Sequence, residues 1–418
     1  MASIFAARAL RSKAHANPTR PRATVIALDG ARTLGAKILV AGGGRCNVTH
    51  HRVDESAYAG SSRNAVKKVL RRFDVAQTVA FFESLGVTLK REDTGKLFPT
   101  TDSARTVLNA LLDAAGRAGV EIVHPWRVAR IERTIDPRGS GGGNDAPTGF
   151  IIRPADGELA PLRARRVILC TGGKSLPKSG SDGVGHTIAK SLGHSITPRV
   201  FPSLVPLLLP PGHVLTSLSG LTLPAALELR SASGKKLRAF TDSTLCTHFG
   251  LSGPSVLDIS RYFTDELPNG GRLFISVLPG TTPESLDRGL QFLGRQTLVR
   301  FFSAKVPERM ARALCDSAGV GPASQGANLT REQRRALVAA FTEQELPITG
   351  DRGWNYAEVT AGGVPLDELH LDTMESRVCP GLHLAGEVCD VDGRIGGFNF
   401  QWAWASGFVA GSAAAALT

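Results

Sequence analysis

Two glycine-rich turns, each placed directly after a short apolar run and set far apart in the chain, limit this sequence more than any other feature. Arg166 to Gly173 reads RVILCTGG, and Val378 to Gln401 reads VCPGLHLAGEVCDVDGRIGGFNFQ. A strand that runs into Thr-Gly-Gly brings bare backbone to the carboxyl end of a parallel strand, where ligands of open α/β sheets bind. A strand at Leu382 to Ala385, followed by glycines and by a helix predicted over Trp402 to Ala415, presents backbone N–H donors to an anionic or carbonyl-rich group. A third element belongs with them. Thr24 to Leu28, TVIAL, reads as a buried parallel strand ending at Asp29, where an acidic residue of a dinucleotide-binding unit takes the adenosine ribose hydroxyls. The two turns and the acidic strand end are expected to converge on one extended dinucleotide.

Such a unit should begin with a hydrophobic strand and G-x-G-x-x-G, whose glycines let the backbone approach pyrophosphate. Met1 falls where the last of those glycines is expected. The reading is therefore a chain that starts late, through a misassigned start or a truncation. The rival reading makes residues 1–23, rich in Arg, Ala and Ser, an organelle transit peptide. It requires a full glycine fingerprint before the strand ending at Asp29, and the sequence has none.

Between these landmarks, residues 2–11 read as a short amphipathic helix. Residues 35–49, GAKILVAGGGRCNVT, read as a glycine-rich loop in which Gly42, Gly43 and Gly44 precede Arg45, Cys46 and Asn47. Backbone N–H groups beside a cation suit a phosphate or an electron-rich flavin edge, and a plain loop is the alternative. Helices are predicted over Phe73 to Gly86 and Ser103 to Gly119, strands at Val120 to Val123 and Val128 to Ile131, and a loop over Gly139 to Gly149. GSDGVG, Gly180 to Gly185, should open a helix running to Leu192. Residues 198–350 change character, with proline-punctuated strands such as Ala225 to Leu229 and Leu273 to Leu278 and a polar helix near Arg331 to Phe341. That shift predicts an inserted domain, because α/β alternation resumes only after Gly353.

Composition excludes several classes. A chain of 418 residues with 42% hydrophobic and 21% charged side chains is a folded protein with more than one domain. No apolar run approaches the roughly 20 residues of a membrane-spanning helix. The six cysteines form no C-x-x-C pair and no cluster at metal-ligand spacing, so no metal site is expected and a reducing, cytoplasmic compartment is. The formal charge is +12, which attracts phosphate-bearing partners. In RNAVKKVLRRF, Arg63 to Phe73, a helix would bury Val66, Leu70 and Phe73 and set Arg63, Lys67 and Arg71 in a basic stripe. That stripe is either a solvated face or a contact for RNA or another polyanion.

The blocks GGGRCNVT (Gly42 to Thr49), KLFPTTD (Lys96 to Asp102), TGGKSLPKSGSDGVG (Thr171 to Gly185), THFGLSGP (Thr247 to Pro254), TAGGV (Thr360 to Val364), TMESR (Thr373 to Arg377) and LAGEVCDVDGRIGGFNFQ (Leu384 to Gln401) occur in this order. Together they resemble the BaiN/YhiN-type FAD flavoproteins, a family of NAD(P)/FAD-dependent oxidoreductases, over nearly the whole chain. The resemblance implies an α/β fold: a Rossmann-like FAD-binding domain made of residues 1–197 and 351–418, around an insert at 198–350 with a β-barrel and a small helical part. It implies that Asp29 holds the adenosine ribose, where the family more often has Glu, and that the Val128 backbone meets adenine. Lys37 and Gly42 to Asn47 would line the cofactor, although Ala36 stands where an arginine is usual. Thr171, Gly172 and Gly173 would form the turn against the dinucleotide. Gly386, Glu387, Asp390, Gly396, Gly397, Phe398, Asn399 and Gln401 would meet the ribityl chain and isoalloxazine.

Flavin supplies hydride chemistry and the protein supplies orientation and electrostatics, with a nearby acid completing an addition. Candidates are His248, whose charge can change near neutrality, Cys46, and Arg45 as an anion or carbonyl stabiliser. No second nicotinamide-binding unit is visible in the sequence, so NAD(P)H is expected to bind transiently at the flavin face. Three functions follow: a reductase or oxidase of an electron-poor C=C or C=O in a small molecule, an RNA-modifying reductase that forms dihydrouridine, and a truncated form without catalysis.

Overall fold

Val25–Leu28 forms a strand and pairs in parallel with Val120–Val123, Val25 opposite Val120 and Leu28 opposite Val123. Val25–Leu28 is apolar throughout, but where a buried strand is expected Ile26 is 40% exposed, and its partner carries the exposed Glu121, so this pair lies at an open margin of the unit. A second parallel pair joins the two ends of the chain: Val167 lies opposite Leu382 and Leu169 opposite Leu384. Strands Glu375–Ser376 and Leu369–His370 extend that sheet. The computed structural model describes residues 1–16, 23–135 and 147–416.

Helices flank these strands. Val75–Ser84 is closed at its start by a capping box in which the Asp74 side chain and Gln77 satisfy each other's backbone N–H groups. Ala104–Ala118 buries Val107, Leu111 and Ala114 and stops at left-handed Gly119. Ala2–Ala16 packs along Phe398–Ala416 with Ile4, Ala6 and Ala7 buried. Their contact relies on small residues, because a Cβ on Gly411 would lie 2.2 Å from the Ala2 carbonyl oxygen.

Several elements depart from the sequence expectations. A helix is assigned over Ala36–Gly44 where a loop is expected, but Ala41 is extended and Gly42 and Gly43 are left-handed, so regular helix ends before the glycines. The C-terminal helix begins at Phe398 rather than Trp402, which moves Phe398, Asn399 and Gln401 from a loop into a first helical turn. The strand expected to end at Ile131 continues to Ile135, because Pro147–Pro154 pairs with it. Of the loop expected over 139–149, residues 139–146 lie outside the described residues and 147–149 belong to that partner strand.

The chain divides into two compact units, Met1–Phe201 with Val359–Thr418, and Pro202–Glu358. Each has its own core. The first is built around Phe82, Val107, Leu384 and Trp402. The second is built around Leu227, Ile275, Phe302 and Phe341, the last two stacked with ring centroids 3.7 Å apart. Its sheet has seven strands paired throughout in antiparallel fashion. The outermost strands, Gln344–Leu346 and Gly350–Asp351, are separated by only three residues, so the sheet curls back on itself as the expected barrel does, although no hydrogen-bond ladder closes its seam.

Candidate functional site

Three segments distant in sequence meet at one largely shielded carboxylate. Glu387 follows the strand Leu382–Leu384 in a short 3₁₀ turn. Its Oε2 receives the Lys37 ammonium at 2.5 Å, and its Oε1 accepts from Ser175 Oγ at 2.8 Å and from the Thr360 N–H at 2.9 Å. Lys37 also donates to Ser175 Oγ at 2.7 Å. Burial acts to raise the Glu387 carboxyl, but the Lys37 charge beside it and the hydrogen bonds it accepts hold it below its ordinary value. Thr360 Oγ1 closes the network by accepting the Lys174 and Ser175 N–H groups at 2.7 and 3.0 Å. Gly173 lies directly against it, while Gly172 packs on Ser181 and Thr171 on Gly185. A Cβ on Gly173 would stand 2.4 Å from Thr360 Oγ1, so this turn must be glycine for the segments to close.

A recess of about 400 Å³ opens beside that turn, lined by Lys174, Asp182, His186 and Val200 among others. His186 is buried, which lowers its pKa, and its Nε2 has no hydrogen-bond partner. Asp182 is ion-paired with Arg127, which links the recess to the tips of two strands. There the Asp29 carbonyl oxygen accepts from the Trp126 N–H at 2.7 Å, and Asp29 Oδ1 accepts from the Ala31 N–H at 2.7 Å. Val128 begins its strand two residues beyond Trp126. Asp29 and Val128, assigned to the ribose and to adenine, are thus brought to one edge.

The opposite end is formed by the N-terminus of the helix Phe398–Ala416, whose first N–H groups have no partner within the helix. Gly397, at φ +96°, lets that terminus press onto the strand Thr49–His50: a Cβ there would lie 2.7 Å from the Thr49 carbonyl carbon and 2.9 Å from Asn47 Oδ1. Asn47 is buried, and its Oδ1 has no hydrogen-bond partner. Nearby, Gly42, Gly43 and Gly44 are left-handed and exposed. The lone acceptor of Asn47, the open backbone of the three glycines and the free helix N–H groups fit the edge of an isoalloxazine, which carries both N–H and carbonyl groups. The residues therefore fit FAD at both ends of the site.

Other assigned residues hold the frame. Gln401 is buried, its Oε1 accepting from Thr49 Oγ1 and Thr78 Oγ1 at 2.7 and 3.0 Å and its Nε2 donating to the Phe73 carbonyl at 2.9 Å. Asn399 makes two hydrogen bonds to the Gly393 backbone. The carbonyl of Asp390 accepts from the Ser61 N–H at 2.8 Å. Gly386 is tied to the helix by Ser406 Oγ and the Trp402 indole. His50 stacks on Phe398 with centroids 5.0 Å apart, and Gly396 lies 3.7 Å, measured from its absent Cβ, from Lys96 Cε.

The catalytic candidates fare differently. Cys46 is fully buried, and burial pushes its thiol up to about 12, which leaves it in the packing and out of proton transfer. Arg45 binds Glu92 at 2.6 Å, lies 3.7 Å from Asp102 and covers the Phe98 ring, so its charge is already matched. His248 is exposed in the turn between Lys236–Thr247 and Gly250–Ser252, in the second unit. Sequence reasoning gave no role to Ser175, Thr360, His186 or Lys96. The first three sit in or beside the quoted glycine blocks and Lys96 opens KLFPTTD, but only the folded chain shows what they touch.

In the basic stripe, Arg63 and Arg71 are exposed while Lys67 is drawn to Glu55 at 2.6 Å. Lys68 is exposed instead. Among the described residues no group of His, Cys, Asp and Glu is placed to hold a metal ion, and no helix is long and apolar enough to cross a membrane.

The profile of the HI0933-like protein Rossmann domain matches residues 9–413. The chain belongs to the HI0933-like family. It is 34% identical over 400 residues, 94% of this chain and 93% of the other, to the 3-dehydro-bile acid delta(4,6)-reductase of Clostridium scindens. It is 31% identical over 385 residues, 91% of this chain and 90% of the other, to the ribosomal RNA dihydrouridine synthase of Escherichia coli. Among solved structures, the E. coli quinol fumarate reductase subunit FrdA is similar with a TM-score of 0.49 at 15% identity, over 99% of this chain and 68% of that one. This HI0933-like protein is an FAD-dependent oxidoreductase with a Rossmann-like cofactor domain.

Proposed function

We propose that this flavoenzyme uses electrons from NAD(P)H to reduce a carbon–carbon double bond conjugated to a carbonyl in a small molecule, and that it works in the cytoplasm. The observation that carries the reading is the shared chemistry of two relatives that each align with about nine-tenths of the chain. One is named for reducing a bile acid and the other for forming dihydrouridine, and in both names the reaction is the saturation of a double bond. Bound FAD supplies the hydride chemistry. The chain's own residues orient the cofactor. Asp29 offers a carboxylate to ribose hydroxyls, the Lys37–Glu387 pair fixes the Thr171 to Gly173 turn, and Asn47 with the helix N-terminus at Phe398 fixes the ring edge. The exposed backbone of Gly42 to Gly44 leaves a flat substrate room to approach.

A second reading, reduction of uridine in RNA, is favoured by the exposed Arg63, Lys68 and Arg71 on and just after the helix Arg63–Leu70 and by the formal charge of +12. The deciding experiment reconstitutes the protein with FAD, reduces it anaerobically with NADPH or NADH, and follows re-oxidation near 450 nm. Rapid re-oxidation by cyclic enones supports the first reading, and re-oxidation only by unmodified ribosomal RNA supports the second. A flavin that neither nicotinamide bleaches overturns the nicotinamide link.

A further inference from the structure

The second unit carries a cluster that the flavin chemistry does not use. The short strand Leu207–Leu208 is paired on one side with Gly250–Ser252 and on the other with Gly350–Asp351. Phe249 precedes one of these flanking strands and Arg352 follows the other. The Arg352 guanidinium lies between two rings, its carbon 4.2 Å from the Phe249 centroid and 3.5 Å from the Tyr356 centroid. Tyr356 is held on the same turn by its N–H, which donates to the Gly353 carbonyl at 3.0 Å, and it is 50% exposed. The exposed His248 ring meets Phe249 edge to face at 5.1 Å.

The partners that Arg352 lacks are as telling as those it has. Among the described residues no carboxylate or carbonyl meets its side-chain donors. The adjacent acid, Asp351, accepts the Gly353 N–H at 2.7 Å through Oδ1. A guanidinium held flat by aromatic faces keeps its N–H fork for an oxyanion, a task that lysine cannot copy. An open tyrosine beside such a fork matches the way single-stranded RNA is held, with a base stacked on a ring and a phosphate on arginine.

We propose that Phe249, Arg352 and Tyr356 form a nucleotide-binding platform for single-stranded RNA: Tyr356 stacks a base and Arg352 takes the neighbouring phosphate. The proposal rests on the RNA reading above and gives it a second contact besides the basic helix.

The test measures anisotropy of a short fluorescein-labelled oligouridylate, and of an abasic phosphate backbone of the same length, with the full-length protein loaded with FAD. Tyr356→Ala should weaken the oligouridylate about tenfold or more, in line with one lost base stack, and leave the abasic strand within about twofold. Tyr356→Phe should restore binding. Arg352→Lys, which keeps the charge but not the flat fork, should weaken both probes. Retained 450 nm absorbance and circular dichroism separate these effects from misfolding. Oligouridylate affinity unchanged in both Tyr356→Ala and Arg352→Lys would overturn the platform and leave RNA binding by the basic helix standing. Equal losses for both probes in Tyr356→Ala would overturn base stacking. Failure of the wild-type protein to bind the oligouridylate, or tighter binding of an acidic peptide of equal charge, would overturn the platform and the RNA reading together, without touching the reduction of small-molecule enones.

Discussion

Taking away the Lys37 ammonium leaves the Glu387 carboxylate between Ser175 and the Thr360 N–H with its counter-charge gone. Both side chains are largely shielded from water, at 31% and 17% exposure, so Lys37→Met should cost about 2–4 kcal/mol in urea unfolding, near the range for a buried pair broken on one side. Glu387→Gln, which keeps a side chain able to hydrogen-bond, should cost less, about 1–2 kcal/mol. The same pair sets an acid limit. Glu387 titrates below its ordinary 4.5 in the fold, so its contribution is complete above that value and is lost as the pH falls through the folded pKa. Wild type should therefore lose stability between about pH 5 and 3 more steeply than Glu387→Gln, as read by denaturation at a series of pH values. Cys46 offers a second test at this scale. With its thiol at about 12 and no exposed surface, it should escape iodoacetamide at pH 8 in the native protein and react only after unfolding, as mass spectrometry would show.

Segments must approach one another closely for the site to close, and the glycines report where. At Gly397 a side chain would run into the Thr49 backbone at 2.7 Å, and backbone cannot swing aside. At Gly43, also left-handed, a Cβ would meet nothing within 4 Å. Gly43→Ala should therefore cost only the roughly 1–2 kcal/mol of a left-handed alanine. Gly397→Ala should cost more than that and cut the ratio of 450 to 280 nm absorbance several-fold. The sequence made much of this level legible. The bounds expected at Ser103 and Gly119 flank the helix Ala104–Ala118, while the helix expected from Phe73 begins at Val75 behind its Asp74 cap, and Val25–Leu28 declares itself by its apolar run. The start of the helix at Phe398 was hidden, because Gly396 and Gly397 read as loop until the contact with Thr49 fixes them. Lys37 and Glu387 were placed by resemblance, but their pairing through Ser175 and Thr360 depends on segments brought together only by folding.

Two separate hydrophobic cores in one chain predict two unfolding steps. Added FAD should raise the midpoint of the step belonging to Met1–Phe201 with Val359–Thr418, where all the cofactor-fitting residues lie, and leave the other nearly unmoved in calorimetry. A common upward shift of both would show that the units unfold as one. At this scale the composition shift told of an insert and the ordered blocks told of a shared cofactor domain. Lost in one dimension was the meeting of Phe249 and Arg352 across Leu207–Leu208, since nothing in either segment names the other.

The register of Val167 to Leu169 against Leu382 to Leu384 also bears on biosynthesis. A ribosome making this protein completes the Pro202–Glu358 unit before the partner of the earlier strand exists, so that unit can fold while the nucleotide layer waits half-built. Flavin loading is then a late event in the life of the polypeptide, and a nascent chain stalled before Leu382 should emerge colourless.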